Sequence, residues 1–275
     1  MKVGVIGVGN MGAILAEALL QSKAIAEKDL CIINRTHDKA AAFQNLHPDV
    51  IISESIRELV IASKVIFVCV KPGEMLPVFL EIKKWSTEDQ GVISITSPIS
   101  IAQMDSILSC HTARWIPSIT NTALSGVSLL TFGAASTPEW KKTVKDLAGA
   151  ISETIEIDNS ITRVASDIVS CGPAFFSFLA QRFIDAAVKV TAVDAQTAGI
   201  LTEKMLIGFG DLLKGGYYSL PTLQEKVCVK GGITGEGINV LEEKLGNTFE
   251  DLFKATHSKF QEEIIKIEKQ FNLDD

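Results

Sequence analysis

What this sequence has little of narrows it first. Its apolar runs, such as residues 65–70, fall far short of the ~20 residues needed to cross a bilayer, so no membrane partner is expected. Met1-Lys2 leads straight into an apolar strand pattern, so no secretory leader is expected. There are only five cysteines, Cys31, Cys69, Cys110, Cys171 and Cys228, an odd number widely spaced in mostly apolar surroundings. They read as reduced thiols of a cytoplasmic protein and exclude a disulfide frame. The four histidines, His37, His47, His111 and His257, have no cysteine or carboxylate at ligand spacing, so no metal site is expected. Cations are also scarce: 26 Lys and Arg against 33 Asp and Glu give a net charge of −7. That excludes a broad nucleic-acid-binding surface and leaves room for one local basic site that takes a small anion.

What is present is an ordinary globular composition, 47% apolar and 21% charged, over 275 residues. That length suits two compact domains. In the first half, β-branched runs at Val3–Ile6, Leu30–Ile33 and residues 50–52, 65–70, 92–95 and 113–116 alternate with helix patterns at 11–22, 38–46 and 54–62. Residues 65–70 are apolar on both faces, as a central parallel strand should be. Strands at 127–130 and 154–157 follow, with a helix starting near Pro138-Glu139 between them. Such alternation predicts right-handed βαβ units in a doubly wound, Rossmann-type sheet. After about Asp158 the texture turns helical, over 161–169, 173–190, 195–213, 223–229, 237–245 and 249–271. Pro173 suits a first helical position and Asp194 an N-cap. The expected organisation is therefore an α/β domain over 1–158 and an all-α domain over 159–275. Helices as apolar as 174–180 and 186–193 have too little interior of their own to hide in, so a homodimer or larger assembly is expected through them.

Gly7-Val8-Gly9-Asn10-Met11-Gly12 is a G-x-G-x-x-G between a strand and a helix. Gly7 permits the tight turn, Gly9 lets a pyrophosphate approach the backbone, and Gly12 lets helix and strand pack closely. The helix N-terminus then faces the anion. At the end of the second strand an NAD site would carry an acid for the ribose 2′-OH. Asn34-Arg35-Thr36 stands there instead. Arg35 can meet a 2′-phosphate with Asn34 and Thr36 as hydrogen-bond donors, which favours NADP(H) over NAD(H). Val70-Lys71-Pro72 ends the fourth strand at its carboxyl edge, and adds a further cofactor contact.

These residues, with those of the helical half, resemble the pyrroline-5-carboxylate reductases over nearly the whole chain. Gly7 to Gly12, Asn34-Arg35-Thr36 and Val70-Lys71-Pro72 are similar to that family's NADPH site. Ser170-Cys171-Gly172-Pro173-Ala174-Phe175 resembles its Ser-Gly-x-Gly-Pro-Ala-aromatic helix start, and Gly231-Gly232-Ile233-Thr234 its Gly-Gly-x-Thr substrate loop. There are departures. Val229-Lys230 stands where the family has Ser-Pro, Ile116-Pro117-Ser118-Ile119-Thr120 where it has Met-Pro-Asn-Thr-Pro, and an acidic residue is replaced around Gly216-Tyr217. The pattern is similar to divergent reductase-like paralogues, including one encoded with bacterial late-competence genes.

The resemblance implies reduction of the cyclic imine 1-pyrroline-5-carboxylate to L-proline, a step of amino-acid biosynthesis. Thr234 would be the side chain at the ring nitrogen, and it also suits a helix N-cap. The N–H groups of Gly231, Gly232 and Ile233 would form a nest for the substrate carboxylate. Lys230 either replaces the lost hydroxyl at that carboxylate or points to solvent. Two alternatives stay open. One is an NADP(H)-binding reductase-like protein with another substrate or no activity. The other is a 3-hydroxyacid dehydrogenase, which needs a lysine base that residues 173–183 do not contain.

Overall fold

The computed structural model describes residues 1–271; the last four residues assigned above to the helical half lie outside them. Two compact units divide the chain, Met1–Pro173 with the stretch from Ala255 onward, and Ala174–Lys254. The contact boundary thus falls at Pro173, beyond the change of sequence texture near residue 158.

The first unit is built on one sheet. β1 (Val3–Ile6), β2 (Leu30–Ile33), β3 (Ile51–Ile52), β4 (Val65–Val68), β5 (Gly91–Ser94), β6 (His111–Ile116), β7 (Val127–Phe132) and β8 (Glu153–Glu156) lie in the order β3-β2-β1-β4-β5-β6-β7-β8. All pairings are parallel except β6 with β7. β1 is the switch point: Val3 pairs with Leu30 on one side and Val65 on the other. The connecting helices are α1 (Asn10–Gln21), α2 (His37–Leu46), α3 (Ile56–Ala62), α4 (Met75–Lys83), α5 (Ile101–Asp105) and α6 (Pro138–Gly149). α4 and α5 complete the alternation where the sequence pattern left a gap.

Helices cover both faces of the sheet, which is why β1 and β4 bury every residue. One layer joins Leu15, Leu19, Phe67, Trp115 and Trp140, with the Phe67 and Trp115 rings edge to face at 5.4 Å. The other joins Leu59, Ile66, Met75, Phe79 and Ile82 with Ile267 of the last helix.

The helical part begins with α7 (Thr162–Ser166), one π-helical turn at Asp167–Cys171, and α8 (Gly172–Val190). These form one continuous helix, so Pro173 does not open a helix as expected. The π-turn before it absorbs the proline, whose missing N–H frees the Val169 carbonyl to accept from the Ser118 hydroxyl at 2.8 Å. The whole stretch Asn159–Val190 is a single 32-residue helix. It is long and apolar enough to cross a membrane by length and composition alone, a feature the interrupted runs of the sequence concealed.

α9 (Ala195–Lys214), α10 (Leu220–Val227), α11 (Ile233–Leu245) and α12 (Thr248–Phe271) follow. Asp194 caps α9 by accepting from the Thr197 N–H at 2.9 Å. Gly216, at φ +65°, ends α9, donating its N–H to Leu213. In the second unit only Ala198 and Thr202 fall below a tenth of full exposure, while Phe176, Phe178 and Phe183 are each about two-thirds exposed (66%, 65% and 65%).

Candidate functional site

After Ile6 the chain must turn into α1 within three residues. Gly7 makes the turn at φ +99°, and a Cβ there would sit 2.8 Å from the Cys69 carbonyl oxygen. A Cβ on Gly12 would meet the Gly7 carbonyl oxygen at 2.0 Å, so helix and turn close only around glycine. Gly9 differs from both. A Cβ there would meet nothing within 4 Å, and α1 carries neither a side-chain cap nor an acid in its first turn. Open space before uncapped N–H groups fits a pyrophosphate.

A cavity of about 780 Å³ opens beside this turn, at the carboxyl ends of β1, β2 and β4. Gly7, Gly9, Asn34, Arg35, Thr36, Val70 and Lys71 line it. Val8 is instead buried beneath the turn, and Asn10, Met11 and Gly12 form the start of α1. Pro72 opens a short 3₁₀ turn, Pro72–Glu74, behind Lys71.

Asn34 has a structural role that the sequence reading did not include. Its Oδ1 accepts from the Val8 N–H at 3.0 Å and its Nδ2 donates to the Thr36 carbonyl at 2.9 Å. The amide thus braces the glycine turn against the end of β2, while its second Nδ2 hydrogen stays available at the cavity. Thr36 heads α2 without capping it through its side chain. Arg35 is 85% exposed at its side chain and pairs with Glu74.

On the other side of the switch point lies a smaller cavity of about 380 Å³, which the sequence reading missed. Met11, the Thr96-Ser97-Pro98 segment after β5, Pro117 after β6, and Arg163, Ser170 and Cys171 line it. The signal was available: the carboxyl-edge rule that singled out Lys71 applies equally to Thr96 and Ser97. The π-turn supplies its helical wall. Asp167, wholly buried, pairs with Arg163 at 2.9 Å and accepts from the Thr256 hydroxyl at 2.8 Å. Arg163 also reaches the Cys171 sulfur at 3.5 Å and the Ser97 hydroxyl at 3.4 Å. Burial pushes the Cys171 thiol up, against the opposing pull of the Arg163 charge.

Arg114 of β6 fixes this wall from below. It donates to Asn159 Oδ1 at 2.7 Å and Thr162 Oγ1 at 2.6 Å, and more loosely to the Ser97 and Ile99 carbonyls. Desolvation lowers its pKa to about 10, so the buried guanidinium is still charged at neutral pH.

In the second unit the substrate-loop candidates form a turn that leads into α11. The Gly232 N–H donates to the Val229 carbonyl at 2.9 Å, and Gly231 alone of the four takes a positive φ, +74°. This is the pattern of a type II turn with Lys230 second and Gly231 third. Two expectations change. The Gly232 N–H is taken by the turn and drops out of the nest, leaving those of Gly231 and Ile233. Gly232, not Thr234, is the N-cap of α11. Thr234 sits exposed in the first helical turn, and Lys230 is exposed as well.

A phosphate-seeking turn at the switch point of a doubly wound sheet, followed by an apolar helical unit, defines the class of two-part nucleotide-dependent oxidoreductases. Residues 159–263 match the family model for pyrroline-5-carboxylate reductase dimerisation, and residues 2–98 that for NADP oxidoreductase, coenzyme F420-dependent. The chain belongs to the pyrroline-5-carboxylate reductase family. It is 47% identical to ComE operon protein 4 of Bacillus subtilis (strain 168), covering 99% of this chain and 100% of that protein. It is 26% identical to pyrroline-5-carboxylate reductase 3 of the same organism, over 94% of this chain and 96% of the relative. The crystal structure of Plasmodium falciparum pyrroline carboxylate reductase with NADP bound shares the fold at a TM-score of 0.82. That pair is 21% identical, covering 96% of this chain and 97% of the other.

Proposed function

We propose that this protein is an NADPH-dependent reductase of a small cyclic imine carrying a carboxylate, 1-pyrroline-5-carboxylate in the first instance, giving L-proline. The observation that carries the reading is the open space at Gly9 before an uncapped α1, beside a cavity that holds Arg35, Thr36 and Lys71. Gly7, Gly9 and the leading N–H groups of α1 would hold the pyrophosphate, while Arg35 and Thr36 would hold the 2′-phosphate, favouring NADPH over NADH. When bound, the cofactor supplies a hydride to the imine carbon. The protein's own residues then have two tasks, to orient the imine and to hold its proton. Thr234 is the candidate for the ring nitrogen, and the N–H groups of Gly231 and Ile233 are the candidates for the carboxylate, with Lys230 exposed beside them. A homodimer or larger assembly through residues 159–263 would cover Phe176, Phe178 and Phe183.

The second reading, a related reductase with another substrate, is favoured by one observation. The turn carries Val229-Lys230, with no hydroxyl for a carboxylate.

NADPH oxidation measured with pyrroline-5-carboxylate, other cyclic imines and 2-keto acids separates the readings. Turnover with pyrroline-5-carboxylate alone supports the first, and turnover elsewhere in the panel supports the second. Thr234→Ala should lower kcat about ten- to hundredfold with NADPH affinity unchanged, the loss expected for one hydrogen bond to a charged group. Val229→Ser with Lys230→Pro should lower KM, since the second position of a type II turn accepts proline. A Thr234→Ala variant as fast as the parent removes that residue from the mechanism.

A further inference from the structure

We infer that Glu74 is a built-in competitor for the cofactor's 2′-phosphate: by engaging Arg35 in an ion pair, it sets how strongly the protein prefers NADPH to NADH. This rests on the reading that the cavity takes a nicotinamide dinucleotide.

Arg35 follows β2 and Glu74 ends the 3₁₀ turn after β4, so the sheet brings together two side chains 39 positions apart in sequence. Both line the same cavity, and the Arg35 Nη1 donates to the Glu74 Oε1 there. Glu74 stands at the N-cap position of α4, yet its side chain makes no cap bond. Arg35 is its one partner among the described residues. The acid thus owes the helix behind it no hydrogen bond, only the general attraction of a carboxylate to a helix N-terminus.

Both side chains are partly or largely exposed, 85% for Arg35 and 40% for Glu74. An ion pair in such a setting is weakly held, so it acts as a competitor and not as a lock. A 2′-phosphate carries nearly two negative charges and several strong acceptor oxygens, which is enough to take the guanidinium. It must first part the pair, and then it shares the cavity with the released carboxylate. A ribose 2′-OH has no need of Arg35 and leaves the pair as it is. Glu74 therefore weakens NADPH binding and leaves NADH binding alone. Lys39 and Lys71 line the same cavity and are in no ion pair among the described residues. The site keeps positive charge throughout, so the effect is graded.

The test is a titration of the full-length protein with NADPH and NADH, repeated with 2′,5′-ADP and 5′-ADP to isolate the adenosine half. Glu74→Gln should tighten NADPH and 2′,5′-ADP about five- to thirtyfold at about 50 mM salt, less at about 300 mM. NADH and 5′-ADP should move less than about twofold, and Glu74→Ala should give the same sign. In an Arg35→Gln background most of the gain should be lost, because only the carboxylate's direct repulsion of the phosphate is then relieved. The inference is overturned if Glu74→Gln leaves NADPH affinity unchanged, tightens both cofactors equally, or keeps its gain undiminished without Arg35. A parent protein that binds neither dinucleotide would overturn the cofactor reading and this inference with it. Normal NADPH preference in a parent indifferent to Glu74 would overturn this inference alone.

Discussion

The first unit closes its own core and the second does not. Val3, Val5, Phe67, Trp115 and Ile93 are wholly buried between sheet and helices, whereas the second unit encloses little beyond Ala198 and Thr202. Both parts are rich in apolar residues. The difference lies in what the chain supplies to cover them. A doubly wound sheet brings its own two layers of helix, while α8 and α9 present Phe176, Phe178, Phe183, Leu201 and Ile207 outward. Exposed apolar area on that scale marks an interaction surface. The match of residues 159–263 to a dimerisation domain names the kind of cover.

The sharpest way to break this comparison is Phe178→Glu. A carboxylate placed in an apolar interface is left unpaired and desolvated, so the subunit dissociation constant should rise at least about a hundredfold. Analytical ultracentrifugation at micromolar concentration should show the mass fall to that of one chain, with dinucleotide binding in the first unit preserved. An assembly that survives the substitution would show that the exposed face is not the interface.

The next effect belongs to the first unit. Arg114→Ala strands the Asn159, Thr162 and Thr131 oxygens and the Ser97 and Ile99 carbonyls that now receive its donors. A loss of about 3 kcal/mol is expected, read as a lower thermal midpoint with the assembled mass unchanged. A midpoint equal to the parent's would mean water replaces the guanidinium without cost.

The smallest effect is one of pH. Burial pushes the Cys110 thiol up to about 11 from an ordinary value of 9.0. The unfolded chain loses this proton first, so the thiol favours the folded state below pH 9.0 and that contribution fades as pH rises toward about 11. Chemical denaturation across that range should show falling stability, with a shallower fall in Cys110→Ala.

The alternation of strands and helices, the place of the glycine turn and the apolar excess of the second half were all legible in the sequence, because each rests on local periodicity. Pro173 misled for a physical reason. Proline usually opens a helix, and only the π-turn before it, with Ser118 at the freed carbonyl, lets the helix run through. The sequence pattern starts this helix only at residue 237, since Gly235 and Gly237 are poor helix formers, whereas α11 begins at Ile233 with Gly232 as its N-cap. Arg163 and Asp167 meet at one helical turn, but nothing local says that Ser97 and Thr256 join them. Likewise, no local pattern could show Arg35 meeting Glu74, since strand order sets that contact.

Lys230 carries a consequence of its own. It occupies the second position of the Val229–Gly232 turn, where proline's fixed φ would leave the unfolded and unbound chain fewer shapes to explore. A lysine there leaves the backbone free to wander, and closing it on a ligand forfeits that freedom. Proline at a compatible site recovers about 0.4–1 kcal/mol, or roughly a two- to fivefold change in affinity. If the loop takes a small carboxylate as proposed, Lys230 makes it arrive less prepared, and binding would then depend the more on the two N–H groups that the turn leaves open.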